Sequence, residues 1–214
     1  EAKLAARDIQ PWLITAGAAL PGTALGLPVT LASQVKVAGG TLSLDKLKGS
    51  VGGGAVAGNL RAGLKEGLPD FNGSLSVDTI DLSLAADMLF GGSASHSKDG
   101  GWPAAPCSPK SQPAFLGDLD LSARVLQAGA LATAHDAKFK ASLNLNGLGV
   151  SDLSASMDGG RLSGLFELRN NGGTGLFTGQ ANLEGADLGQ LLAGSGLRGN
   201  ADLSASVTAN GKST

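Results

Sequence analysis

Apolar and polar residues alternate strictly in three stretches of the chain. Residues 119–125 place Leu119, Leu121, Ala123 and Val125 on one side and Asp120, Ser122 and Arg124 on the other. Residues 139–146 set Phe139, Ala141, Leu143 and Leu145 against Lys140, Ser142, Asn144 and Asn146, and residues 201–208 repeat the pattern with Ala201, Leu203, Ala205 and Val207. A period of two marks antiparallel strands with one apolar and one wet face. Between Leu162–Leu168 and Leu176–Leu183 the run Asn170-Asn171-Gly172-Gly173 supplies residues that tolerate positive φ, which predicts a hairpin. Helix signals are short. Asp81 is placed to cap Leu82–Phe90 with Gly91 as the stop, and Asp187 to cap Leu188–Ala193 with Gly194 as the stop. Two helical turns cannot cover a sheet of many strands, so the pattern predicts an aliphatic face short of cover.

The chain repeats itself. Shifted by 106, residues 42–82 align with 148–188 without a gap: Leu42, Leu47, Ser50, Gly53, Gly54, Gly58, Gly67, Phe71, Gly73, Asp81 and Leu82 recur as Leu148, Leu153, Ser156, Gly159, Gly160, Gly164, Gly173, Phe177, Gly179, Asp187 and Leu188. The opening of the unit recurs at other offsets. Gly117, Asp120, Leu121, Ser122, Ala123, Val125 and Gly129 return 82 residues later as Gly199, Asp202, Leu203, Ser204, Ala205, Val207 and Gly211. Val29, Leu31, Val35, Ala38 and Gly39 resemble the same opening 90 residues earlier. Growth of the offset from 90 to 106 leaves about 16 extra residues in the second copy, room for one more hairpin. Asp8-Ile9 looks like the closing Asp-Leu of an earlier unit. Such a long period carrying helix caps separates the chain from β-solenoids, whose coils repeat at about 20–30 residues.

Composition narrows the reading further. Of 214 residues 34 are glycine, 42% are hydrophobic and 16% charged, with six Phe, two Trp and no Tyr. That is too apolar for a disordered chain, and it leaves a core of Leu, Val, Ala and Met with little aromatic anchoring. Sixteen basic against eighteen acidic residues, without blocks, offer nothing to hold a nucleic-acid backbone. The single Cys107 provides neither disulfide nor zinc site. The longest uncharged stretch, Ile9 to Val35, is interrupted by Pro11, Pro21 and Pro28, against the continuous apolar helix of about 20 residues that a membrane span requires. Glu1–Arg7 has no basic-then-apolar signal pattern, and the chain reads as an interior piece.

Candidate chemistry is thin. Gly194-Ser195-Gly196-Leu197-Arg198-Gly199 spells a dinucleotide fingerprint, but a helix precedes it and a strand follows, the reverse of what pyrophosphate binding requires. Gly211-Lys212-Ser213 lacks the earlier glycine of a P-loop, which falls on Ser206. His96 lies in the Gly/Ser/Pro-rich segment 91–114, where Trp102 is the expected anchor, and His135 stands beside Asp136 in an expected turn. Asp118 and Asp120 fall on the wet face of one strand, and Asn72-Gly73-Ser74 matches a glycosylation sequon. No catalytic constellation emerges, and no metal or cofactor is expected.

Gly-Gly-Arg-Leu-Ser-Gly at 159–164, Gly-x-Ala-x-Leu-x-Gly-Ala-Asp-Leu at 179–188, Gly-Trp-Pro at 101–103 leading into Gly-Asp-Leu-Asp-Leu-Ser-Ala at 117–123, and Ala-Asn-Gly-Lys-Ser at 209–213 together resemble the C-terminal part of the AsmA family of Gram-negative bacteria, relatives of TamB. The resemblance implies a mainly β fold, with repeated antiparallel strands in a curved, groove-like sheet (a β-taco) and one short helix per repeat. Its divisions would be 1–21, the end of a preceding repeat; 22–90, repeat 1; 91–114, a loop; 115–197, repeat 2; and 198–214, the start of a third. It further implies a non-catalytic module on the periplasmic side of the inner membrane, serving phospholipid transport and outer-membrane biogenesis, with its membrane anchor outside these residues. The implied partners are phospholipid acyl chains and other envelope proteins. The residues point the same way, because a sheet with one uncovered aliphatic face must fold on itself, associate or take up an apolar ligand. The candidate groove lining is Leu119, Leu121, Val125, Phe139, Leu143, Leu145, Leu203 and Val207. A structural or adhesive β-repeat module of the cell surface, its face closed by its own return, is the alternative.

Overall fold

The computed structural model describes residues 1–11, 26–82, 115–128, 132–192, 196 and 198–211. Among them are eleven strands, β1 (Ala2–Ala6), β2 (Val29–Ala38), β3 (Thr41–Val51), β4 (Gly54–Lys65), β5 (Leu68–Asp81), β6 (Leu116–Ala128), β7 (Ala132–Asn144), β8 (Gly147–Met157), β9 (Gly160–Asn171), β10 (Thr174–Asp187) and β11 (Asn200–Gly211), and one helical turn, α1 (Leu188–Leu191). The strands form a single sheet in chain order. Every neighbouring pair is antiparallel except β5 and β6, which run parallel.

Two-residue turns set the pairing. Gly39-Gly40, Gly52-Gly53, Glu66-Gly67, Asp158-Gly159 and Gly172-Gly173 each carry positive φ at both positions, the signature of type I′ turns, whose twist matches that of the flanking strands. The hairpin expected at Asn170–Gly173 is therefore present, with Asn170 Oδ1 accepting from the Gly173 N–H at 3.0 Å. Two local expectations change. Leu145 and Asn146 form the turn between β7 and β8, so that strand ends at Asn144 rather than continuing to 146. His135 and Asp136, expected in a turn, lie inside β7, where Asp136 takes a φ of 52° at a point of irregular register.

The 106-residue repeat is visible in the strands. Thr41–Val51 and Gly147–Met157, Gly54–Lys65 and Gly160–Asn171, and Leu68–Asp81 and Thr174–Asp187 begin and end at that spacing. β2–β5 is a run of four strands and β6–β10 a run of five, and at the same spacing β2 falls on His135–Asn144 of β7. A purely antiparallel run with five strands per period would turn β8 against β3. The parallel step from β5 to β6 restores the direction, so equivalent strands run the same way. The cap at Asp187 is present, its carboxylate accepting from the Gly189 N–H at 2.7 Å, but α1 ends at Leu191. Of the expected helix Leu82–Phe90 only Leu82 belongs to the described residues.

Candidate functional site: the apolar face of the sheet

Cross-strand register carries one set of side chains onto a common face. From β2 to β5 it bears Val29, Leu31, Val35 and Val37; Leu42, Leu44 and Leu47; Val56, Leu60 and Leu64; and Phe71, Leu75 and Val77. It continues through Leu119, Leu121 and Ala123 in β6, Ala137, Phe139, Ala141 and Leu143 in β7, and Leu148 and Val150 in β8. Leu162, Phe166 and Leu168 in β9, Phe177 and Leu183 in β10, and Leu203 and Val207 in β11 complete it. At about 4.8 Å per strand and 3.3 Å per residue this face extends over on the order of 1,500 Å² of sheet.

Bulges keep the face apolar. Between Leu44 and Leu47, β3 carries one residue more than its neighbours, and the bulge lets Leu47, three residues from Leu44, share its face, where an unbulged strand would turn the two to opposite sides. Lys46 adopts a φ of 53° there, its N–H donates to Asn59 Oδ1 at 2.9 Å, and on the other side Ser33 Oγ donates to the Asp45 carbonyl at 2.9 Å. The equivalent position 106 residues later is Asp152, φ 54°, where β8 shifts between Val150 and Leu153. A third bulge at Glu184-Gly185 in β10 is held by Asp202 Oδ1, which accepts from the Gly185 N–H at 2.7 Å.

Burial varies across the face. A cluster of Ala123, Leu126, Ala134, Ala137, Phe139, Val150 and Ala155 is at most 5% exposed, with Val77, Ile80, Leu82, Leu121, Leu153, Met157, Leu162 and Phe166 packed against it. Toward the edges the same face opens: Val37 is 75% and Leu64 79% exposed. The candidate residues spread over this gradient. Phe139 lies in the cluster and Leu121 against it. Leu119 and Leu143 are half-buried between Gly73 and Ala141 and between Gly117 and Leu148. Leu203 and Val207 are about half exposed on β11. Leu145 stands in its turn, and Val125 pairs with Thr79 and His135, outside the cluster, where the apolar side steps from Ala123 to Leu126. Sequence reasoning missed Ala134, Val150, Ala155 and Leu183. The signal was present as two alternating runs, Leu148-Val150 and Leu153-Ala155-Met157, joined by a one-residue change of phase.

The opposite face is polar and carries Ser, Asn and ion pairs. Lys140 Nζ meets Asp152 Oδ2 at 2.9 Å, Lys36 meets Asp45 at 3.4 Å and Arg124 meets Asp78 at 3.6 Å, all partly exposed. The Asp152 carboxylate, hydrogen-bonded to the Lys140 ammonium, raises the lysine pKa above its ordinary value. A shallow depression of about 500 Å³ on this side is lined by Ser74, Ser76, Asp120, Ser122, Lys138 and Lys140. Asp118 and Asp120 lie on this face, His135 is exposed in β7, and Asn72 Nδ2 donates to Asp70 Oδ2 at 2.7 Å. Among the described residues no group of three His, Cys, Asp or Glu is placed to hold a metal ion, and no helix is long and apolar enough to cross a membrane. His96, Trp102 and Cys107 lie outside the described residues. The chain matches no family model, no curated protein and no solved structure.

Proposed function

We propose that the apolar face binds lipid acyl chains, and that the chain is a non-catalytic, AsmA-like module of the periplasmic side of the inner membrane, acting in phospholipid transport and outer-membrane biogenesis. One observation carries this reading: ten strands, β2 to β11, aim their aliphatic side chains at one face, and the described helical residues amount to little more than one turn. Globular domains bury such a face under a second layer. Hydrocarbon is a suitable occupant because the walls are Leu, Val, Ala and Phe, which offer no directional contacts, and each buried methylene contributes roughly 0.8 kcal/mol. A dozen methylenes supply on the order of 10 kcal/mol before ordering costs. The glycine-based motifs that resemble the AsmA family add the envelope setting and the expectation of an anchor elsewhere in the parent protein.

The test is extraction. Protein purified without harsh detergent should yield phospholipid in stoichiometric amount by mass spectrometry, and Leu143→Asp should remove most of it while Asn144→Asp, on the wet face, leaves the content unchanged. A lipid-free, monodisperse and stable wild-type protein, or a Leu143→Asp variant that keeps its lipid, overturns the reading.

A further inference from the structure

Asn-Gly occurs four times in the chain, at Asn72-Gly73, Asn146-Gly147, Asn171-Gly172 and Asn210-Gly211. The step is chemically weak, because glycine has no Cβ to keep its backbone nitrogen away from the preceding asparagine side chain. Whether the weakness is expressed depends on the fold. A nitrogen held in a sheet ladder reaches that side chain only when the ladder opens locally.

The sheet restrains these steps unequally. Gly73 lies inside β5 between Leu60 of β4 and Leu119 of β6, a Cβ there would stand 2.2 Å from the Asn59 carbonyl oxygen, and the Asn72 side chain is tied to Asp70. Gly147 is buried between its partners Asn144 and Arg169, with the Leu168 carbonyl oxygen against it. Gly211 pairs with Gly175. Gly172 differs. It occupies the first position of the turn from β9 to β10, exposed beside an exposed Asn171, with a φ of 59° and nothing within 4 Å of where a Cβ would be. In a two-residue turn of this type the ladder closes between the flanking residues, here Asn171 and Thr174, and the first turn nitrogen faces solvent. Asn170 Oδ1 holds the Gly173 N–H, not that of Gly172.

We propose that Asn171 is a self-modification site of the folded protein, where the backbone of Gly172 expels the side-chain amide. The Gly172 nitrogen gives up its proton and bonds to Asn171 Cγ; the bond from Cγ to the side-chain nitrogen breaks, and ammonia carries the proton away, leaving a cyclic imide. Water then adds to one of the two imide carbonyls and opens the ring, to aspartate or to isoaspartate. Both products place a carboxylate at the tip of the β9–β10 turn, and isoaspartate also lengthens the backbone there by one carbon. The site does not depend on what occupies the apolar face.

Ageing the whole chain in mildly alkaline buffer, followed by peptide mapping with mass spectrometry, reads the reaction site by site. In the folded protein, product at Asn171 should form about tenfold or more faster than at Asn72 or Asn146, whose glycines need the ladder to open. In urea the three rates should converge, since each step then has the same local sequence, Asn followed by Gly. Gly172→Ala should slow the native reaction at Asn171 by about tenfold through the added Cβ, with circular dichroism unchanged because that Cβ has open space around it. Absence of product at Asn171 overturns the proposal, as does equal reaction at Asn72 or Asn146 in the folded protein, or a native rate at Asn171 that Gly172→Ala leaves unchanged. The comparison of folded and unfolded wild type stands without the variant.

Discussion

Glycine at single positions illustrates how this sheet is specified. Gly147 has a φ of 152°, and a Cβ there would lie 2.0 Å from the Leu168 carbonyl oxygen of the neighbouring strand. Gly39 also has positive φ, but a Cβ would meet nothing within 4 Å. Gly39→Ala should therefore cost about 1 kcal/mol through backbone strain alone, and Gly147→Ala at least about 2 kcal/mol because the strands must also move apart; urea denaturation of both variants measures the difference. Gly179 is a third case. Its backbone is ordinary, and only the Phe177 ring, whose Cζ would come within 2.9 Å, needs the missing Cβ. At the β1 edge the Asp8 carboxylate accepts from the Leu27 and Gln10 N–H groups, which hold its pKa below the usual 3.8. A pKa depressed by folding stabilises the folded form above the unfolded value and is lost as pH falls through the folded one. Protection factors for hydrogen exchange at Ile9 and Leu27, taken relative to the intrinsic rate at each pH, should accordingly fall on acidification below about pH 4, and in Asp8→Ala they should be low at neutral pH as well.

At the level of elements, the bulges decide which side of each strand is greasy. Removing Lys46 would align β3 with its neighbours residue for residue, Leu44-Asp45-Leu47 against Leu60-Asn59-Gly58, and keep Leu42, Leu44 and Leu47 on one face. Deletion of Lys46 should thus retain a cooperative thermal transition, as should Lys46→Gly, which keeps the residue count and suits a φ of 53°. Asn59→Ala acts on the hydrogen bond that holds the bulge. It removes one acceptor from the bulge and should cost about 1 kcal/mol in the same melt. The Lys140–Asp152 pair crosses the equivalent bulge in β8. With the lysine pKa raised by the fold, its contribution is complete below the ordinary 10.5 and fades as pH rises through the folded value.

Across the whole molecule, burial falls from the middle of the apolar face toward its edges, and mutational cost should follow. Phe139→Ala removes a ring that is 5% exposed and should cost about 3 kcal/mol or more. Val37→Ser and Leu64→Ser, at 75% and 79% exposure, should stay within about 0.5 kcal/mol of wild type. The exposed pair should instead lower the binding of a hydrophobic dye. Equal losses at Phe139 and Leu64 would contradict the gradient.

The strands, their wet and dry sides, the turn at Gly172-Gly173 and the 106-residue period were legible in the chain because each rests on local chemistry: alternation within seven or eight residues, or glycine where φ must be positive. Leu121 and Phe139 alternate with polar neighbours in this way, and both lie on the apolar side of the sheet. Leu145, read as strand, lies in a turn, because alternation says nothing of where a turn interrupts it, and that is settled by the partner strand. Likewise, no local signal reveals that β5 and β6 run parallel, or that Phe139 is buried while Leu203 on the same face is half exposed. These depend on register between residues far apart in the chain and on how much sheet surrounds each position, which only the assembled sheet decides.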